Sequence, residues 1–178
     1  QDPANQWLAR MNRRRLEIEP WRDAVLSVTG ELDSKLGGAP MQLSDGNNRR
    51  RTLYAFVSRH RLDELLRLFD FPDPNITSAS RNVTTVPQQQ LFVLNSPFMA
   101  ARAKALSKRI HEDVAESESA RVDYIYQLLF ARHPKENELK LALSFLDDTQ
   151  AGADGDKLTR WEQYALVLLA SNEFLFVD

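Results

Sequence analysis

There is no cysteine anywhere in the 178 residues. That excludes disulfides, thiolate nucleophiles, zinc ribbons and covalently attached haem within this segment, and leaves its redox compartment open. Long apolar runs are also missing. The longest stretch, Ala165 to Ala170, is far too short to cross a bilayer. Neither a Gly-x-Ser-x-Gly elbow nor a glycine-rich phosphate loop occurs, and no spacing of serines and histidines favours a catalytic triad. Histidine is scarce: His60, His111 and His133 are scattered, with no second histidine at helical ligand spacing. His60 sits inside Arg59-His60-Arg61, whose charge repels a cation, and all three read as surface or structural residues. Asp154-Gly155-Asp156 hints at a calcium loop, but the register fails. With Gly155 as the turn glycine, the first ligand would be Gln150 and the bidentate acid would be Trp161, so the segment reads as a solvated turn. No leader with a basic start and an apolar middle opens the chain. Gln1 is not an initiator, so a segment of something longer is expected.

What is present is ordinary globular composition: 43% hydrophobic and 27% charged residues, enough for one domain with a proper core. The net charge of -2 conceals an asymmetry. Residues 1–61 carry a net +4, residues 62–111 a net +2, and residues 112–178 a net -8. A basic front and an acidic back suit either an internal contact or two different partners.

The apolar spacing is helical. Trp21, Ala24, Val25 and Val28 share one face of a helix expected from about Arg15 to Thr29, with Gly30 as its stop. Leu62, Leu65, Leu66 and Phe69 mark a short helix ended by Pro72 and Pro74. Further stripes are Met99/Ala103/Leu106/Ile110, Val122/Ile125/Leu129, Leu139/Ala142/Leu143/Leu146 and Trp161/Tyr164/Ala165/Leu168. Helix starts are signed by capping boxes at Thr85-Val86-Pro87-Gln88 and Thr159-Arg160-Trp161-Glu162, and by a polar cap before proline at Asn95-Ser96-Pro97. Pro134 should open the helix after Arg132-His133 in the same way. Only Thr52–Ser58 has strand composition, and with no partner strand it reads as helix or extended connector. Gly37 to Arg49 has the composition of a mobile loop, and Pro72 to Thr84 that of a longer one, either functional or clamped down by side chains. No internal repeat or low-complexity tract appears. The expected architecture is all-α: a single compact multi-helix domain over residues 1–178, with two long ordered loops.

Two arginine triplets, Arg13-Arg14-Arg15 and Arg49-Arg50-Arg51, invite a nucleic-acid reading. Each lies close to acids (Glu17, Glu19 and Asp23; Asp45), and the pI is about 6.0, so nucleic acid is not the expected partner. The stronger pattern is arginine beside carboxylate in apolar surroundings: Arg15-Leu16-Glu17 and Arg22-Asp23 on the first helix, Phe69-Asp70-Phe71-Pro72-Asp73, and Arg81 in the long loop. A buried carboxylate without a partner costs several kcal/mol, so such acids find a guanidinium or a backbone amide. Arg15, Arg22, Arg51 and Arg81 are therefore expected to clamp loops by pairing with Glu17, Asp23, Asp70 and Asp73. The competing reading is a polar pocket for an anionic or sugar-like ligand.

These same residues carry a family resemblance. The blocks are Arg14-Arg15-Leu16-Glu17-Ile18-Glu19 with Arg22-Asp23; Arg51-Thr52-Leu53-Tyr54-Ala55-Phe56-Val57 with Arg59; Phe69 to Asp73; and Arg81 with Thr84-Thr85-Val86-Pro87 and Gln89. Leu94-Asn95-Ser96-Pro97-Phe98, Arg132-His133-Pro134 with Glu138, Trp161 and Ser171 to Asp178 follow. In that order they resemble the domain of unknown function "fifteen fifty-three", also called planctomycete PSD-one. One departure is Pro20-Trp21, where the family has plain helix formers; the proline is expected to start or kink the first helix. The resemblance implies the C-terminal part of a large secreted or envelope protein, with a cytochrome-c-like domain upstream, so any haem lies outside this segment and no cofactor is expected within it. The implied location is periplasmic, cell-envelope or secreted. No catalytic residues are assigned in the family.

Three functions are weighed on this basis. The first is a non-catalytic helical scaffold that packs against upstream domains of the same chain or another envelope protein. The second is part of an enzyme or binding site for anionic polysaccharide, with Arg15, Arg22, Arg51 and Arg81 on the anion and Asp70 or Asp73 as acid or base. The weakest is nucleic-acid binding. The residues of the candidate polar network or ligand site are Arg15, Glu17, Arg22, Asp23, Arg51, Asp70, Asp73, Arg81, Gln89 and Asn95; no metal site is expected.

Overall fold

A computed structural model describes residues 5–147 and 158–177. The Asp154-Gly155-Asp156 segment lies outside them. The described chain is mostly helical: α1 (Ile18–Val28), α2 (Glu64–Leu68), α3 (Pro87–Asn95), α4 (Pro97–Asp113), α5 (Glu118–Phe130), α6 (Glu136–Asp147), α7 (Arg160–Leu169) and α8 (Asn172–Leu175). The other regular structure in the described residues is a two-stranded antiparallel ribbon and a 3-10 turn at Thr52–Tyr54. In the ribbon, β1 (Arg14–Arg15) pairs with β2 (Phe176–Val177), Arg14 opposite Val177 and Arg15 opposite Phe176.

Helix α4 is the centre of the core. Met99, Ala103, Leu106 and Ile110 recur at helical spacing and are fully buried. They pack most extensively against α7, whose Ala165 and Leu169 are equally buried. Burial of each such large side chain stabilises the fold by about 1.5–3 kcal/mol. Helices α5 and α6 pack against one another, adding Val122, Ile125 and Ala142 to the core, and α1 adds Ile18, Trp21 and Val25. Trp21 stacks on Phe69 at 5.0 Å between ring centroids, which seats α2 against α1.

The helix starts largely follow their sequence signals. Ser96 accepts from Met99 N at 3.2 Å ahead of Pro97, and Thr159 and Glu162 form a reciprocal capping box. Ser117 and Asp63 cap α5 and α2 in the same manner.

Four local expectations need correction. Helix α1 starts at Ile18 rather than Arg15, because Arg14–Arg15 are drawn into the ribbon and Leu16 N donates to Leu175 O at 2.8 Å. Pro20 does not open the helix, which starts two residues earlier. It is the third residue of the first turn, where the missing N–H has no intrahelical acceptor to lose. The capping residue of α3 is Val86, not Thr85, because Pro87 takes the first helical position; Gln89, not Gln88, reaches back to Val86 N. Finally, Pro134 precedes α6 by two residues instead of opening it, and Lys135 O accepts the first helical N–H, from Leu139.

The segment with strand composition is part 3-10 turn and part extended, and it does find a partner. Met41 forms an isolated bridge with Ala55, donating to Tyr54 O at 2.8 Å and accepting from Phe56 N at 2.7 Å. The Gly37–Arg49 loop is pinned from the other side by Arg50. That guanidinium lies 4.2 Å over the Tyr54 ring and donates to Ala39 O at 2.9 Å and to Gly37 O. Gly37 and Gly38 take positive φ, which lets their backbone wrap that side chain.

Candidate functional site

The first network closes around Arg15. Strand β1 turns successive side chains to opposite sides, so Arg14 stays in solvent beside Glu17 while Arg15 is directed inward, its side chain 8% exposed. Arg15 Nη2 donates to Asp70 Oδ2 at 2.8 Å, and Nη1 to Gln89 Oε1 at 2.6 Å and to Thr84 O. Asp70 ends α2 in the left-handed region, at φ +62°, a conformation aspartate tolerates better than most residues. That backbone turns its carboxylate towards the long loop, where it accepts from Thr84 N at 2.9 Å and Thr84 Oγ1 at 2.7 Å. Gln89 Nε2 completes the ring by donating to Leu68 O at 2.9 Å. Burial alone would raise the Asp70 pKa. The two Thr84 donors and Arg15 outweigh it and hold the carboxyl below its ordinary value.

A second cluster lies next to it. Arg81, on the far arm of the loop, meets both oxygens of Glu19 at 2.7 and 2.8 Å, contacts Glu17 at 2.9 Å and lies over the Phe71 ring. Burial acts to raise the Glu19 pKa, but the bonds from Arg81 carry it down. The C-terminal arm of the loop is thus fastened to α1 and its preceding residue through Arg81, and to the end of α2 through Thr84.

The third network is built by neighbours on α1. Asp23 Oδ1 accepts from both Thr52 N and Thr52 Oγ1 at 2.7 Å. Arg22 is 1% exposed and, among the described residues, makes no hydrogen bond to a carboxylate. It donates to Asn48 O at 2.9 Å, Arg50 O at 3.0 Å and Thr52 Oγ1 at 3.2 Å, and lies over Phe98. Burial lowers its pKa to about 10, so it is still charged at neutral pH. Arg102 approaches the same Phe98 ring from α4. It is 2% exposed, and its Nε faces Glu31 Oε2 at 3.0 Å without hydrogen-bond alignment. Its Nη1 is buried with no hydrogen-bond partner among the described residues.

Most of the residues singled out from sequence are therefore brought together. Arg15 takes Asp70, whereas Arg22, expected to meet a carboxylate, bonds to carbonyls and a hydroxyl. Arg81 takes Glu19 and Glu17. Arg51, half exposed, stands 3.7 Å from Asp23. Two residues stay outside the networks. Asp73 accepts from Asn75 N within its own turn, and Asn95 is exposed on α3, bonded to Leu91 O. Sequence reasoning missed Glu19, Arg50, Thr84, Arg102 and Arg132. The last bridges three elements from the end of α5: it pairs with Glu138 on α6 at 2.8 Å and with Glu173 on α8 at 2.6 Å.

Each of the three histidines has a plain structural setting. His111 Nδ1 donates to Ser107 O at 2.7 Å beside Trp161, His133 faces Asp123 at 2.6 Å, and His60 is exposed. Among the described residues no group of three or more potential ligands is placed to hold a metal ion, and no helix is long and apolar enough to cross a membrane.

The carboxylates in these networks predict an acid response. Bonds from Arg132 pull Glu138 down to about 2 and also lower Glu173, while Glu19 and Asp70 are lowered for the reasons above. Each folded pKa lies below its unfolded value of about 4, so each contributes stability that is full above that value and lost as pH falls through the folded pKa. The melting temperature should hold steady from neutral pH to about pH 5, then fall between about pH 4.5 and 2. Glu138→Gln should shrink the fall, and a melting temperature unchanged down to pH 3 would contradict this assignment.

Comparison with known proteins adds one match. A family model, PSD1, described as a protein of unknown function (DUF1553), matches residues 1–146. It covers all three arginine networks, whereas the resemblance at Trp161 and Ser171 to Asp178 lies beyond it. No curated protein and no solved structure matches the chain.

Proposed function

Because the chain belongs to the PSD1 family of unknown function (DUF1553), we propose from its side-chain geometry that it is a non-catalytic helical scaffold presenting long, clamped loops to a protein partner. The observation that carries this reading is the orientation of the guanidinium groups. Arg15, Arg22 and Arg81 face carboxylates and carbonyls of their own chain, and so do Arg49 and Arg50 of the second triplet. A preformed anion site needs donors left free for the ligand. Here they are used to fix backbone that has no regular structure of its own.

The polysaccharide reading has less support. It needs Arg15, Arg22, Arg51 and Arg81 to converge on a substrate with Asp70 or Asp73 as acid or base. Asp70 instead holds four internal donors and Asp73 closes a local turn. On the resemblance noted above, the partner sought is an upstream domain of the same protein or another envelope protein outside the cytoplasm.

Arg81→Gln tests the scaffold role. Hydrogen exchange within residues 72–84 should accelerate while the helices keep their protection, since the ion pair acts on the loop and lies at the surface of the fold. Unchanged exchange in that loop, or gain or loss of hydrolytic activity on acidic glycans, would count against the proposal.

A further inference from the structure

Arg102 is buried as deeply as Arg22, yet it fastens no loop. Arg22 spends its donors on Asn48 O, Arg50 O and Thr52 Oγ1. Arg102 Nε and Nη1 are enclosed and have no hydrogen-bond partner among the described residues. The carboxylate opposite does not supply one. Glu31 Oε2 stands 3.0 Å from Nε, and that oxygen is itself enclosed with no hydrogen bond among the described residues. Enclosed donors of a charged side chain are almost always satisfied in a folded protein, and an unfilled one points to a bound water or ion.

The charges gathered here are mostly of one sign. Arg22 and Arg102 share the Phe98 ring, with their guanidinium carbons 5.6 and 5.3 Å from its centre. Arg49 holds the other Glu31 oxygen at 3.0 Å. Three guanidinium groups thus gather about one carboxylate. Asp23, the acid beside Arg22, is taken up by the amide and hydroxyl of Thr52. Burial lowers the Arg102 pKa; Glu31 opposes that and Arg49 adds to it.

Water would fill a donor and leave the excess charge standing, whereas an anion answers both. Size and charge are limited by enclosure. Arg102 is 2% exposed, and Glu31 and Arg49, at 26% and 27%, are the partly open residues beside it. A carboxylate tethered to a partner protein cannot follow its backbone into so closed a position, and a dianion such as sulfate has more hydration to give up.

We infer that Arg102 anchors a binding site for a small monovalent anion of halide size, with Arg22 and Arg49 supplying the surrounding positive field. The anion takes the Nη1 donor, while Arg22 keeps its carbonyls and Arg49 its carboxylate. Glu31 is the competing charge and keeps the affinity weak. The site involves none of the loop clamps, so it stands apart from the scaffold reading.

Thermal melts of the whole chain test this at constant ionic strength, with sodium gluconate, too bulky to enter, replaced stepwise by chloride or bromide. Above the dissociation constant, each tenfold increase in halide should raise the melting temperature by roughly 3–6 °C. In gluconate Arg102→Met should melt no lower than the native chain, and added halide should leave it unmoved. Glu31→Gln should shift the halide response to about tenfold lower concentration, because the like charge is gone. Sulfate should act no more on the native chain than on Arg102→Met. Crystals soaked in bromide should give an anomalous peak within hydrogen-bond reach of Arg102 Nη1.

A melting temperature flat across the halide series overturns the assignment. So does an equal halide response in the native chain and Arg102→Met, which belongs to the general surface, or a response to sulfate in place of halide. Should Arg102→Met melt well below the native chain in gluconate, the bromide peak on the native chain decides, and its absence from Arg102 sinks the site. None of these outcomes bears on loop exchange in Arg81→Gln, so the two proposals fail separately.

Discussion

Arg15→Met is expected to destabilise the domain by about 3 kcal/mol, lowering its melting temperature by roughly 6–12 °C. Methionine keeps much of the apolar stem and removes every donor. Three acceptors then lose a partner together: Asp70 Oδ2, Gln89 Oε1 and Thr84 O. Removing one member of a buried ion pair costs roughly 3–5 kcal/mol because the other charge is stranded. Asp70 keeps its two Thr84 donors and a long bond from Gln89 Nε2 and is 15% exposed, which places the loss at the low end. The two sides of the ring should not act independently. Arg15→Met and Asp70→Asn combined should cost less than the sum of the single changes, with a coupling of about 1 kcal/mol or more. Chemical denaturation of the four proteins closes that cycle. Strict additivity, or a single-variant loss under about 1 kcal/mol, would mean that Arg15 is an ornament on β1 rather than the junction of β1, α2, α3 and the loop.

The helices were legible because two independent signals coincide. The stripe Met99/Ala103/Leu106/Ile110 and the cap Ser96 before Pro97 each mark α4, and the structure agrees with both. The ribbon was not legible. Two-residue strands have no period to read, and β1 and β2 lie at opposite ends of the chain. That omission misplaced Arg15. On a continuous helix it would be read beside Glu17, although residues two apart on a helix do not face one another; as a strand residue it is directed inward, to Asp70. Asp70 itself stood out among aromatics and prolines, yet the left-handed backbone that aims it leaves no mark in sequence.

Other partners were missed for a more general reason. A guanidinium can be satisfied by carbonyls as well as by carboxylates, and a carbonyl carries no sequence signal. Arg22 and Arg50 both belong to this class. Arg102 could have been found: it lies three residues after Met99 and four before Leu106, on the buried face of α4. A charged residue inside an apolar stripe is a warning that its partner comes from elsewhere, here Glu31 in the segment after α1.

Arg22 and Arg102 meet the same Phe98 ring, and their replacement should have opposite consequences. Arg22→Met is expected to cost about 3 kcal/mol, because Asn48 O and Arg50 O lose their donor in part-buried surroundings at about 1–3 kcal/mol each. Some of that loss is returned by relief of the burial penalty that lowers the Arg22 pKa and of repulsion from Arg102 and Arg49. Arg22→Lys should rescue less than half, since one ammonium cannot reproduce a fork that spans Asn48 O on one side and Arg50 O with Thr52 on the other. Arg102→Met removes a charge that is just as deeply buried but poorly served. Its Nη1 has no hydrogen-bond partner, its Nε is misaligned on Glu31, and Glu31 keeps Arg49 at 3.0 Å. Replacing such a group by an apolar side chain of similar volume is often neutral or stabilising, by up to several kcal/mol. Thermal melts of the two methionine variants should therefore shift in different directions, or one should fall while the other stays. A comparable fall in both would show that Arg102 contributes through Glu31 as fully as Arg22 does through the backbone of residues 48 to 52, and the distinction between a clamped guanidinium and a stranded one would not hold in this fold.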